Sequence, residues 1–170
     1  MTERTLILLR HSKSEHGGDA ADIDRSLTER GHADAAAAGA WLAHRGLSPD
    51  LVICSPAKRT RQTWHGVALA LGEAGPAQAA PVVRYEHQAY GGSADDLLAL
   101  VCAADEAVGT VLLIGHNPSV SELSAALDPA GTGDSDGLRT SGIAVHRVSG
   151  AWAGAGAEPA PLAETHTGRG

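Results

Sequence analysis

Phenylalanine is absent from this chain, and aromatic residues make up only 3% of it. A bulky aromatic centre is thereby excluded. The core has to be built from Leu, Val, Ile and abundant Ala, which favours close helix-on-sheet packing. Basic residues are also scarce: 13 Lys and Arg face 20 Asp and Glu, for a formal net charge of -7. Such a chain lacks the basic surface that general nucleic-acid or anionic-membrane binding requires. Any anion site must be a local basic pocket in an acidic protein. Cysteine is limited to Cys54 and Cys102, both in apolar segments. They read as small reduced hydrophobes of a cytoplasmic protein. The N-terminal apolar run, Leu6 to Leu9, is too short for a signal sequence or a membrane span and reads as a buried strand.

Several catalytic signatures are missing as well. A cysteine phosphatase needs Cys and Arg separated by five residues, and from Cys54 that position is Thr60. No phosphate-binding GxxxxGK[ST] loop occurs, and the His and Asp residues have no metal-ligand spacing. Neither metal nor cofactor is therefore expected. Gly133-Asp134-Ser135-Asp136-Gly137 matches a serine-hydrolase elbow by letter. It sits in an acidic loop with no buried strand before it, so it reads as a chance match.

What is present is an alternation of strand and helix signals along 170 residues, enough for one domain spanning 1–170. Thr5–Leu9 reads as a strand, and 10–25 as a polar, Gly-rich loop. Ser26-Leu27-Thr28-Glu29 has the form of a capping box before an Ala-rich helix to about His44. Leu51–Cys54 is a second strand, and Ser55-Pro56 a cap and first-turn proline for a helix to about Leu71. After the Gly72–Pro81 connection, Val82–Tyr85 is a short strand, and Ser93 caps a helix to about Ala104. Thr110–Gly115 is a strongly apolar strand. A helix follows from Ser119, with Ser119-x-x-Glu122 as its capping box, to Leu127. A loop over 128–140 precedes two final strands, Ile143–Val148 and Leu162–His166, read as a hairpin. This order predicts an α/β three-layer sandwich with a mostly parallel central sheet flanked by helices.

In such sheets ligands bind beyond the carboxyl ends of the strands. That rule selects Arg10 and His11 after the first strand, Ser55 to Arg59 after the second, Glu86 after the third and Gly115-His116 after the fourth. Taken singly, each has a bland reading: Arg10 and Arg59 as surface arginines, His116 as a loop histidine, Glu86 as a solvated turn residue. Their shared placement argues otherwise. A neutral imidazole is a nucleophile toward phosphorus, and two arginines hold phosphoryl oxygens with forked donors. A second histidine can donate to developing charge, and a carboxyl group can protonate the leaving group and then activate water. His16 is the exception among the other histidines, since it shares the loop after His11 and is a candidate to approach the pocket. His32, His44, His65, His87, His146 and His166 read as ordinary histidines, and Trp41, Trp64 and Trp152 as packing residues.

The stretch Leu8-Leu9-Arg10-His11-Ser12-Lys13-Ser14-Glu15 resembles the signature of the histidine phosphatase (phosphoglycerate-mutase-like) superfamily. Ser55-Pro56-x-x-Arg59-x-x-Gln62-Thr63 resembles its second block and Gly115-His116-Asn117-Pro118 its third. Leu27-Thr28-x-x-Gly31 and Thr140-Ser141-Gly142-Ile143-Ala144 match patterns of the small bacterial branch typified by the SixA phosphohistidine phosphatase. The resemblance implies that His11 is phosphorylated, that Arg10, Arg59 and His116 bind the phosphoryl group, and that Glu86 is the acid/base. It also implies a protein phosphohistidine or a small phosphorylated metabolite as substrate. The chain departs from the commonest family pattern at Ser12, where Gly usually follows the nucleophile. The Ser12 hydroxyl could add to the pocket or merely fit, and Lys13 could enlarge the basic site or point to water. A phosphate-binding regulatory module without turnover is the alternative to an enzyme. The complete set Arg10, His11, Arg59 and His116 favours the enzyme, because a binder gains little from keeping a nucleophile.

Overall fold

The computed structural model describes residues 3–75, 80–131 and 137–170. Its strands are β1 (Glu3–Arg10), β2 (Leu51–Cys54), β3 (Val82–Tyr85), β4 (Thr110–Gly115), β5 (Gly142–Ser149) and β6 (Leu162–Thr167). Its helices are α1 (Glu29–His44), α2 (Lys58–Ala74), α3 (Gln88–Gly91), α4 (Ala94–Cys102) and α5 (Ser119–Leu127). The strands form one six-stranded sheet in the order β3-β2-β4-β1-β5-β6. The pairs β3–β2, β2–β4 and β4–β1 are parallel; β1–β5 and β5–β6 are antiparallel. The mostly parallel sandwich read from the sequence is the fold.

Strand periodicity divides the apolar residues between two faces. Leu6, Leu8, Val111 and Leu113 pack with Leu97, Val101, Val120 and Leu123 of α4 and α5. Ile7, Leu9, Leu112 and Ile114 pack with Ala38 and Leu42 of α1 and Val67 of α2. Both faces are covered, which is why β1 and β4 are continuous apolar runs rather than alternating ones. The missing aromatics are replaced by close approach. A β-carbon on Gly39 of α1 would sit 2.6 Å from the Val67 carbonyl of α2, so small residues set the distance between these helices. Trp152 is the one large aromatic in the core, fully buried, with its indole N–H donating to the Val108 carbonyl at 2.7 Å.

Some local readings are corrected. The capping box at Ser26 does not form: Thr28 is the N-cap of α1 and accepts from the Gly31 amide at 2.9 Å. Ser119 does not cap α5; Pro118 stands at that position, and the Ser119 hydroxyl donates to the Gly92 carbonyl. α2 starts two residues after Pro56, at Lys58, and runs to Ala74 rather than Leu71. The loop after β1 holds a short 3-10 turn, Asp22–Asp24, and α3 was not foreseen. Ser93 caps α4 as expected, with Asp96 completing a capping box. Residues 150–160 do connect a hairpin, through a 3-10 turn at Trp152–Gly154. Most of the Gly133–Gly137 stretch lies outside the described residues.

Candidate active site

Parallel register builds the site. Arg10 pairs with Gly115, so His11 and His116 leave neighbouring strand ends, and the His11 amide continues the ladder to the Gly115 carbonyl. Their rings lie 5.2 Å apart, tilted by 52°. β2 delivers Ser55 to the other side of β4, where its hydroxyl meets His116 Nε2 at 2.7 Å. Arg59, in the first turn of α2, is 5% exposed and returns over the same edge. Arg10 spends one guanidinium nitrogen on the Leu138 carbonyl at 3.2 Å. The four residues Arg10, His11, Arg59 and His116 are thus brought together.

The cluster is short of partners. Arg10 Nε, Arg59 Nε and His116 Nδ1 are buried with no hydrogen bond, three of the four such side-chain atoms among the described residues. Buried donors left unpaired cost free energy, so their gathering at one sheet edge marks a place built for an acceptor. The ring states follow from neighbours. His11 Nδ1 lies 2.7 Å from the Ser12 carbonyl, which can only accept, so Nδ1 carries the proton and Nε2 the lone pair. The Ser55 hydroxyl accepts from the Ala57 amide and has one proton to give; assigning that proton to the bond with His116 Nε2 puts the ring's own proton on the unpartnered Nδ1. Burial, aided by the arginines, pushes His11 down to about 4 against the pull of the Ser12 carbonyl. Burial, then neighbouring His11 and Arg59, push His116 to about 3. Both imidazoles are neutral near pH 7 inside a cationic cradle.

Comparison with known proteins gives the family. Residues 6–84 match the model of the histidine phosphatase superfamily (branch 1). A solved structure assigned as the phosphohistidine phosphatase SixA of Nakamurella multipartitia is 32% identical, with a TM-score of 0.82 over 99% of this chain and 98% of that one. The chain belongs to the histidine phosphatase superfamily, in its SixA-type branch. It is accordingly a phosphohydrolase by family. The corresponding assigned SixA of Agrobacterium tumefaciens is 27% identical with a TM-score of 0.77, over 96% of this chain and 98% of that one. An uncharacterised protein of Mycobacterium tuberculosis (strain H37Rv) is 35% identical over 152 residues, 85% of this chain and 90% of its own.

In this histidine phosphatase the remaining sequence candidates fall differently. Glu86 continues beyond β3, its amide bonded to the Cys54 carbonyl at 3.0 Å. Among the described residues its side chain makes no hydrogen bond or ion pair to the cradle. Ser12 is fully buried and turns its hydroxyl to Ser141 rather than to the cradle. Lys13 is exposed, and its carbonyl receives the Thr28 amide. A β-carbon on Gly31 would collide with that carbonyl, so the Leu27-Thr28-x-x-Gly31 motif clamps the loop behind His11. His16 is exposed, its Nδ1 3.5 Å from Arg25. Cys54 is fully buried, and burial raises its thiol to about 12, so it is inert beside the site.

Asp22 is the residue sequence reasoning missed. Its backbone carbonyl accepts from Arg59 at 2.7 Å, and its carboxylate accepts from Arg59 at 3.1 Å and from the Tyr90 hydroxyl at 2.6 Å. Arg25 donates to the other oxygen from two nitrogens, at 3.1 and 3.0 Å. The Tyr90 bond, followed by those from Arg25 and Arg59, holds this carboxyl well below the usual carboxylate range. Tyr90 also stands edge-on to His116, with ring centres 5.5 Å apart. The Asp22-x-x-Arg25 spacing was a usable signal; nothing local in the sequence marks Tyr90, and Ser141 was marked only as part of the Thr140-Ser141-Gly142-Ile143-Ala144 motif, without a role.

Proposed function

We propose that the protein is a metal-independent phosphatase that works through a phosphohistidine on His11, with protein phosphohistidine as its favoured substrate. The observation that carries this is the set of unpartnered donors on Arg10, Arg59 and His116 around a neutral His11. In the first half-reaction His11 Nε2 attacks phosphorus, and the bond from phosphorus to the substrate's nitrogen or oxygen breaks. Arg10, Arg59 and His116 hold the equatorial oxygens as charge develops. In the second, water attacks the phosphoryl group, the bond to His11 breaks, and inorganic phosphate leaves. Cationic side chains supply the electrostatic stabilisation that a metal supplies elsewhere, and among the described residues no group of three metal-ligating side chains occurs.

The preference for phosphohistidine rests on the acid. The carboxyl nearest the cradle, Asp22, is held ionised, and Glu86 has no bond to the cradle. An imidazole leaving group needs little protonation, whereas an alkoxide needs a great deal. Glu86 is the acid/base for substrates that need one, and Asp22 is the resident counter-ion that a phosphoryl group displaces from Arg59. The whole chain, 1–170, acts as one cytoplasmic domain; no helix among the described residues is long and apolar enough to cross a membrane.

The test is phosphate release in EDTA from a phosphohistidine protein, an aryl phosphate and an alkyl phosphate. The expected order of kcat/KM is phosphohistidine, aryl, alkyl. Equal rates on all three would refute the substrate assignment, and loss of activity that one particular metal restores would refute the mechanism.

A further inference from the structure

Ser12 and Ser141 stand out because the phosphatase chemistry does not use them. Both are fully buried. Ser141 is the sole non-glycine residue with positive φ, 62°, among the described residues. Such a conformation persists where its surroundings dictate it, and it clusters at functional sites. Here the surroundings are the backbone of the nucleophile. The Ser141 amide donates to both the Arg10 and His11 carbonyls, at 3.1 and 3.0 Å. Its hydroxyl lies 2.9 Å from the Ser12 hydroxyl and donates to the Asp34 carbonyl of α1 at 3.2 Å. A hydroxyl has one proton, so if Ser141 gives its own to Asp34, Ser12 must donate to Ser141.

Ser12 is then held at three points. Its amide donates to Thr63 Oγ1 of α2 at 3.0 Å, its hydroxyl donates to Ser141, and its carbonyl receives His11 Nδ1–H. The last bond fixes which nitrogen of His11 is free to attack. We propose that the Ser12–Ser141 hydroxyl pair is a positioning clasp that fixes the Ser12 carbonyl and thereby keeps His11 in its Nδ1–H tautomer, with Nε2 as the free nucleophile. Among the described residues neither hydroxyl bonds to a side chain of the cradle. The pair ties the ends of β1 and β5 to α1 and α2, the elements that carry or border the cradle. It also gives Ser12 a purpose that a glycine at that position could not serve. The proposal rests on the reading of His11 as nucleophile.

Two variants test it. Ser141→Gly removes the hydroxyl, keeps both amide bonds and relieves the positive φ, so it is expected to fold. Ser12→Ala removes the other hydroxyl. Each should lower kcat about tenfold, the scale of one buried hydrogen bond, with KM changed less than about twofold. The double variant should lose no more than Ser141→Gly alone, because the Ser12 hydroxyl bonds only to Ser141 whereas the Ser141 hydroxyl also bonds to Asp34. Nitrogen-15 NMR of the His11 ring should show a single Nδ1–H tautomer in the native protein and a mixture in both variants. That spectrum reads the clasp independently of turnover: if His11→Ala kept activity, the mechanism would fail while the tautomer result could stand. Unchanged kcat with a single tautomer and only a lower Tm would overturn the proposal in favour of a packing role. A raised KM at constant kcat would overturn it in favour of substrate contact. Should Ser12→Ala not fold, Ser141→Gly alone decides.

Discussion

Among the described residues two places bury histidine, and they differ in whether the ring nitrogens have partners. His146, in β5, is fully buried; its Nε2 meets the Ser124 hydroxyl at 2.7 Å and its Nδ1 the Ala160 carbonyl at 2.9 Å. Burial lowers its affinity for a proton, as it does for His11 and His116. Neither burial nor titration therefore separates the two places. Satisfaction does. Both nitrogens of His146 are used, and the ring staples α5 and the segment just before β6 to the sheet. At the cradle, His116 keeps an unpartnered nitrogen and His11 a lone pair, with two unpartnered arginine nitrogens beside them. A functional histidine is recognised here by what its neighbours lack.

The comparison can be broken most decisively at His11. His11→Ala should reduce turnover by about 10⁶, the scale of removing a catalytic nucleophile. His146→Ala should leave kcat per folded molecule within about twofold while lowering stability by about 1–3 kcal/mol for the stranded partners. Steady-state kinetics with unfolding midpoints on the same preparations separate the two. An activity loss at His146 as large as at His11 would erase the distinction.

The next largest effect belongs to the donors. Arg59→Ala should cost about 10²–10³ in kcat/KM, and should do so for every substrate, because it removes a preorganised donor to the phosphoryl group itself. A loss confined to one substrate would reassign Arg59 to leaving-group recognition. Smaller and substrate-dependent effects belong to the carboxyls. Glu86→Gln should cost about 10²–10⁴ on an alkyl phosphate, less on an aryl phosphate and little on phosphohistidine. Asp22→Asn should instead tighten inorganic phosphate binding several-fold, since the resident anion is gone. If Asp22→Asn shows the graded loss and Glu86→Gln shows none, their roles exchange.

A gentler probe is pH. His11, His116 and His146 all bind protons less readily folded than unfolded. The unfolded chain takes up protons below about 6.5 that the folded one refuses, so stability is complete above that pH and falls on acidification. The fall should continue until His11 protonates at about 4 and His116 at about 3. Urea unfolding between pH 7 and 4 should register a loss of about 3 kcal/mol from each of His11 and His116, with His146 adding in the same direction. Constant stability across that range would show that the rings are hydrated and charge freely.

The cradle was more legible in the sequence than its supports. β1, β2 and β4 announce themselves because strands buried on both faces are unbroken apolar runs, whereas β3 is a short, mostly exposed edge strand; the residues at their carboxyl ends are fixed by counting. Arg10, His11, Arg59 and His116 follow from that alone. Asp22, Tyr90 and Ser141 do not, because their positions depend on long-range packing: Asp22 meets Arg59 across a loop, and Tyr90 rides on a single-turn helix. Ser12 was ambiguous for the same reason. Whether its hydroxyl faces the cradle or the core is decided by Ser141, which lies 129 positions away in the chain. The capping errors at Ser26 and Ser119 have a local cause: the backbone places the cap two residues after Ser26, at Thr28, and one residue before Ser119, at Pro118.

The central claim is that the lone pair on His11 Nε2 receives the phosphoryl group. The most direct measurement is rapid denaturing quench of the protein mid-turnover with a phosphorus-labelled phosphohistidine protein, followed by peptide mapping under alkaline conditions that preserve phosphohistidine. The account predicts one labelled peptide, carrying the phosphoryl group on His11, which appears before free phosphate and is absent in His11→Ala. Label on Ser12, Cys54 or His116, or steady phosphate release with no labelled protein at any time, would contradict it.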